Sequence, residues 1–194
     1  MAEGKDDLMQ RLLDEIDNCR KCRLWRSAKK PVPGEGSLEA SLMFIGEAPG
    51  YWEDAEGRPF IGAAGKLLDR ILTENFLDRR EIYITNIVKH RPPMNRVPRA
   101  DEVEACTPYL DRQIEIVKPR LIVTLGVQPA RYILSKMRIK FKNISEVRGR
   151  FYEGELKGIQ VKVMPTLHPA AALYNPEYKT TIEKDIEKLR HKLP

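Results

Sequence analysis

Four groups of residues in this 194-residue chain have the side-chain types and spacing to do chemistry. The first is Gly46-Glu47-Ala48-Pro49-Gly50, with Glu53, Asp54, Gly57, Pro59, Phe60, Gly62 and Gly65 close behind. Glycine at that density lets the backbone approach a ligand and point N–H groups at it. A phosphate loop is the obvious competitor. The chain has no Gly-x-x-x-x-Gly-Lys-Ser/Thr pattern, however, and the neighbouring acids would repel phosphate. A plain turn is the bland alternative, and it leaves the acids and Phe60 together unexplained. The second group is Cys19-x-x-Cys22 with His90 and Cys106. By ligand type alone this is a zinc Cys₃His set, with a redox pair or an accident of spacing as the other readings. The last two are Asn86, whose amide both donates and accepts, and His168 in Leu167-His168-Pro169-Ala170. On their own a strand-end asparagine is commonly a turn residue, and a lone histidine a core or surface residue.

Periodicity supplies the elements that must position these groups. Leu8, Leu12, Leu13 and Ile16 predict a helix over residues 6–18, with Cys19 and Cys22 directly after it. Two prolines and two glycines make 31–36 a loop. The chain then alternates: a strand at 42–45, a helix at 66–76, a strand at 82–88, and a helix at 101–117 closed by Lys118-Pro119. A strand at 121–125, a helix at 128–137, two strands within 150–163 and a helix at 176–192 complete it. Such alternation predicts one domain over residues 1–194, a three-layer α/β/α sandwich around a mostly parallel sheet. Ligands in such folds bind beyond the carboxyl ends of the strands. Glu47 follows the first strand, Asn86 ends the second and His168 follows the last.

Composition narrows the class. Apolar residues at 42% describe a globular chain. A net charge of +6 and a pI near 9.2 suit a polyanionic partner, or simply a lysine-rich surface. The abundance of lysine and glutamate suits a thermophile. Three cysteines argue against a disulfide framework and for metal ligation or free thiols. Runs such as Leu121-Ile122-Val123 are too short to span a bilayer, and the Met1–Gln10 stretch has no apolar segment of a secretory signal. A cytoplasmic monomer without membrane contact is expected.

Several ordered motifs together resemble the family 4, iron–sulfur uracil-DNA glycosylases. Gly46 to Asp54, followed by Gly57-Arg58-Pro59-Phe60-Ile61-Gly62, resembles that family's first motif. Tyr83-Ile84-Thr85-Asn86-Ile87-Val88-Lys89 resembles its second region, and Leu167-His168-Pro169-Ala170 its last. Cys19, Cys22 and Cys106 match its cluster ligands, so the likeness runs from about residue 19 to the end. The resemblance implies a monofunctional glycosylase that flips uracil from single- or double-stranded DNA into a pocket of Glu47, Ala48, Pro49, Glu53, Phe60, Asn86 and His168. Phe60 would stack on the base, Asn86 would read N3–H and O4, and His168 would donate to O2 as charge develops. Glu53 would line the wall where a thymine methyl would otherwise fit. Other branches carry aspartate where Ala48 stands. Glu47 would then orient the water or stabilise the sugar cation, or else merely cap the loop.

The resemblance also implies a structural [4Fe–4S] cluster on Cys19, Cys22, Cys106 and His90, with zinc the alternative. His90 departs from the family, which has cysteine there. A uracil-crosslinking branch also carries histidine at this place, within a longer basic insertion. The short Arg91–Pro98 stretch has no second histidine, so turnover is implied. Leu167 to Lys179 would form the loop that enters the duplex, with Leu173 or Tyr174 as wedge. Arg91, Arg96, Arg99 and Lys179 would meet phosphates, and downstream repair proteins would take the abasic product. A non-catalytic iron–sulfur DNA-binding protein and a nucleotide- or phosphate-processing enzyme are the competing classes.

Overall fold

Six segments meet edge to edge in the computed structural model of the chain, which describes residues 4–192. They are β1 (Glu35–Gly36), β2 (Leu42–Gly46), β3 (Tyr83–Asn86), β4 (Leu121–Leu125), β5 (Tyr152–Leu156) and β6 (Ile159–Thr166). The order across the sheet is β1-β3-β2-β4-β6-β5. The four central strands are parallel, and the two edge strands are antiparallel to their neighbours. Every residue of β2, β3 and β4 is buried, as strands covered on both faces must be.

The covering layers are α1 (Lys5–Asp17), α2 (Tyr51–Glu56), α3 (Ala63–Glu74), α4 (Ala100–Val117), α5 (Val127–Lys136), α6 (Pro169–Ala172) and α7 (Pro176–Glu187). Strand alternation divides the core between them. Met43 and Ile45 of β2 pack with Leu12 and Ile16 of α1, Leu110 and Ile114 of α4, and Ile133 of α5. Leu42 and Phe44 face Leu68 and Ile71 of α3 and Ile182 and Ile186 of α7. The expected α/β/α sandwich is therefore the observed one.

Three departures bear on the site. The glycine block is half helix: α2 starts at Tyr51, directly after Gly50. The strand expected over 82–88 stops at Asn86, because the Ile87 and Val88 amides turn to the Gly46 and Glu47 carbonyls at 3.0 and 3.2 Å. The stretch 167–179 is largely helical rather than a loop. His-Pro opens α6 and Asn-Pro opens α7, leaving only the turn at 173–175 to project. The first three residues of the Met1–Gln10 stretch and residues 193–194 of the expected domain lie outside the described residues. Among the described residues no helix is long and apolar enough to cross a membrane.

Candidate active site and thiolate centre

The carboxyl ends of β2, β3 and β6 open into a cleft of about 280 Å³. Its walls carry Glu47, Ala48, Pro49, Glu53, Phe60, Asn86 and His168, so every pocket residue expected from the sequence is brought together there. Gly50, Ala64, Pro92, Asn95, Arg96 and Ala170 complete the lining.

Asn86 ends β3 in register with Gly46 of β2. It is 2% exposed, and its Oδ1 is buried without a hydrogen-bond partner among the described residues. An unmet buried acceptor costs ~1–3 kcal/mol, which a ligand donor would recover. Phe60 stands beside it, 5% exposed, with a backbone φ of 52° that a side chain adopts reluctantly. Two devices hold it there. Arg79 donates to the Pro59 and Phe60 carbonyls at 2.7 and 3.1 Å, and Gly65 lies so close against the Phe60 carbonyl that no β-carbon would fit. Arg79 carries no motif, and sequence reasoning passed over it.

Glu53 is the loop's anchor. One oxygen accepts from the Ile61 and Gly62 amides at 2.9 and 2.8 Å, and the other from Gly50 at 3.1 Å. Gly50 and Gly62 are the N-caps of α2 and α3, so one buried carboxylate serves two helix N-termini and fixes the cleft wall between them. Glu47, by contrast, has no side-chain partner among the described residues, and burial raises its carboxyl above the usual range. The capping role left open for Glu47 thus belongs to Glu53.

His168 caps α6, and its Nδ1 accepts from the Ala170 amide at 3.1 Å. That bond fixes the tautomer, because an accepting Nδ1 leaves the proton on Nε2. Burial pushes its pKa down to about 4, so the ring is a neutral donor at physiological pH. The His168 and Phe60 rings lie 5.8 Å apart at 29°.

The expected DNA contacts fare unequally. Leu173 and Tyr174 project from the turn after α6, 48% and 90% exposed. Met94, next in sequence to the cleft residue Asn95, is 94% exposed and was not foreseen. Arg96 departs from the phosphate role expected of it. Its guanidinium grips buried Glu102 with two bonds of 2.8 and 2.6 Å, tying the 91–98 loop to α4. Lys179 is paired with Glu183 at 3.2 Å on its own helix. Arg91 donates to the neutral Asn95 side chain and has no acidic partner among the described residues, and Arg99 remains exposed at the start of α4.

The thiols gather just beyond the cleft, around the Lys89-His90 segment that follows β3. Cys19 and Cys22 follow α1, and Cys106 lies buried on α4. They are close enough that the charge of the first two acts on Cys106. Burial pushes the Cys106 thiol up to about 11, and its Sγ accepts from the Lys89 amide at 3.2 Å. His90 shares a crevice with Cys19, and burial lowers its pKa, favouring the neutral imidazole a metal requires. Three thiols and a neutral imidazole fit an iron–sulfur group as donors. Among the described residues no three His, Cys, Asp or Glu side chains converge closely enough to grip a single ion. Lys89, 1% exposed, links this centre to the cleft. Its Nζ donates to Thr85 Oγ1, the Asn86 carbonyl and Gln113 Oε1, each at 2.7 Å.

A parallel α/β/α sheet whose strand ends present a fixed aromatic face, an unmet amide acceptor and a neutral imidazole donor defines a nucleobase-binding enzyme site. Residues 33–190 match the model of the uracil DNA glycosylase superfamily. A type-4 uracil-DNA glycosylase of Saccharolobus solfataricus is 50% identical over 96% of this chain and 87% of its own length. The type-4 enzymes of Sulfurisphaera tokodaii and Archaeoglobus fulgidus are 51% and 46% identical, over 95% and 96% of this chain and 84% and 92% of theirs. The chain belongs to the uracil-DNA glycosylase superfamily, on its type-4 branch.

Proposed function

We propose that the chain excises uracil from DNA by hydrolysing the N-glycosidic bond of deoxyuridine, leaving an abasic site. The observation that carries this reading is the partnerless Asn86 Oδ1 on the wall of the cleft. Uracil N3–H supplies the missing donor while the Asn86 amide nitrogen meets O4. Cytosine reverses both polarities and would leave two mismatched groups buried. Phe60 stacks on the flipped base, and the wall held by Glu53 lies where a thymine methyl would press. His168 Nε2–H donates to O2 as charge gathers on the departing base, a donor fixed in place before the reaction begins.

Ala48 has no group to hold the attacking water. The task falls to Glu47, whose partnerless carboxylate faces the same cleft. Leu173 or Tyr174 fills the gap left by the base, and Arg91 and Arg99 meet phosphates. Among the described residues no lysine lines the cleft, so the reading includes no lysine nucleophile and no strand cleavage. Cys19, Cys22, Cys106 and His90 would hold a [4Fe–4S] cluster. When bound it would tie the end of α1 and the loop after β3 to α4, taking no part in hydrolysis. The protein acts as a monomer in the cytoplasm, on single- or double-stranded DNA, and passes abasic sites to downstream repair proteins.

Incubation with uracil-containing oligonucleotide, then alkaline cleavage of abasic sites, tests the activity. No product on either single- or double-stranded substrate would refute it, and binding without release would mark a non-catalytic relative. Anaerobically purified protein is expected to be coloured and to contain iron and acid-labile sulfide. A colourless protein with stoichiometric zinc would overturn the cluster assignment.

A further inference from the structure

Outside the cleft, the densest chemistry without a task surrounds the Cys19–Cys22 turn. Residues 20–30 hold six lysines and arginines and no acid. Aromatic rings stand among and beside them. Arg20 and Arg26 lie 4.9 and 5.9 Å over the half-buried Trp25 ring. Lys29 lies 5.4 Å over Tyr51, which Arg91 also approaches, and exposed Trp52 packs edge-on against Tyr51. Arg23 is neutralised by Asp101 at 3.1 Å, but among the described residues Arg20, Arg26, Lys29 and Lys30 have no acidic partner.

This surface adjoins the cleft. Tyr51 and Trp52 directly follow Gly50, and Arg91 bonds Asn95, both Gly50 and Asn95 being cleft residues. The Lys29 amide is fastened to Asp54 of α2 at 2.8 Å, which locks the basic segment against the helix that opens at the cleft. Free cations seek phosphate, and ring or guanidinium faces seek bases. A duplex offers such a surface its phosphates alone, because its bases are stacked inside. An unpaired strand offers both.

We propose that the surface from Trp52 and Tyr51 to Trp25 binds the single-stranded flank of the DNA whose uracil occupies the cleft. The position of the strand rests on the excision reading. The affinity of the surface for an unpaired strand does not. Fluorescence anisotropy with a uracil-free oligothymidine therefore reads the surface alone. Trp25→Ala and the double substitution Arg26→Gln/Lys30→Gln should each weaken that binding by roughly tenfold, the size of a lost base stack or of lost phosphate contacts. The double substitution should also flatten the salt dependence. The Arg26→Gln/Lys30→Gln protein keeps the proposal testable if Trp25→Ala fails to fold, since both its positions are exposed.

Unchanged affinity in the variants would overturn the proposal. So would an equal loss on blunt duplex, which would make the surface a duplex-backbone contact. Loss of bound iron at unchanged affinity would assign these cations to balancing the metal centre and would overturn it as well. Weakened strand binding by the variants, in a protein that releases no uracil, would leave the surface standing and fell the excision reading alone.

Discussion

Replacing Gly46 with alanine tests the cleft where two base-reading groups lean on bare backbone. A β-carbon there would stand 2.5 Å from Phe60 Cζ and closer still to Asn86 Oδ1, where ordinary contact begins at 3.4 Å. The ring or the amide must therefore retreat by about 1 Å. Neither has slack. The Phe60 main chain is pinned by Arg79 and pressed against Gly65, and Asn86 is held in register by β2. The displaced group is driven into the volume the base should fill. A lost stack costs ~1–3 kcal/mol, and a misplaced buried hydrogen bond a further ~1–3 kcal/mol. Together these predict a fall in kcat/KM of roughly thirtyfold to twenty-thousandfold. The fold loses less, ~1–3 kcal/mol for overpacking, or several degrees of Tm in a chain of this size. Single-turnover uracil release well below Tm, with a melting curve of each protein as control, separates the two effects. A folded Gly46→Ala protein with wild-type kcat/KM would show that uracil does not lie between Phe60 and Asn86.

Glu47 and Lys89 provide two further tests. Burial raises the Glu47 carboxyl, so a water-orienting carboxylate should be lost as pH falls through a value above 4.5, giving kcat an acid limb that Glu47→Gln abolishes along with most of the rate. Because ionised Glu47 is disfavoured in the fold, Glu47→Gln should raise Tm at neutral pH, and the gain should vanish below pH 4.5, where both side chains are neutral; a lower Tm at pH 7 would contradict this. Lys89→Met removes three hydrogen bonds of 2.7 Å and strands their acceptors, at a cost of ~2–5 kcal/mol. Since one of the three is to the Asn86 carbonyl, inhibition by free uracil should weaken in parallel, and an unchanged Tm with unchanged inhibition would show that the lysine supports neither.

The layer order was legible because it follows from local patterns. Leu42 to Ile45 and Leu121 to Leu125 can only be buried strands, and helical apolar spacing recurs between them. The pocket residues were legible for a different reason: Glu47, Asn86 and His168 each stand where a strand ends, and the sheet itself brings them together. What escaped the sequence was what holds those residues still. Nothing local to Arg79 shows that it spans 19 and 20 positions to the carbonyls of Phe60 and Pro59. The use of Lys89 as a buried clamp, and of Arg96 as partner to Glu102 rather than to phosphate, depends on packing between distant segments. The helix α6 was missed because four residues are too few to display a period.

A question of sign decides whether the cleft waits for uracil or forms around it. Phe60 in the left-handed region is a standing strain of ~1–3 kcal/mol that an ordinary backbone conformation at this position would relieve. Opposing it are three amide bonds to the Glu53 carboxyl and two more from the Arg79 guanidinium, each worth at least ~0.5–1.5 kcal/mol. The anchors outweigh the strain before any base arrives, so the Phe60 face and the Asn86 acceptor are fixed in the empty protein. Uracil then meets a surface already arranged, and the ordering cost that would weaken its binding has been met in folding. The same rigidity places the burden of discrimination on shape and hydrogen-bond polarity rather than on closure. It also explains why the stretch from Glu47 to Gly62 contains so many residues that do not line the cleft.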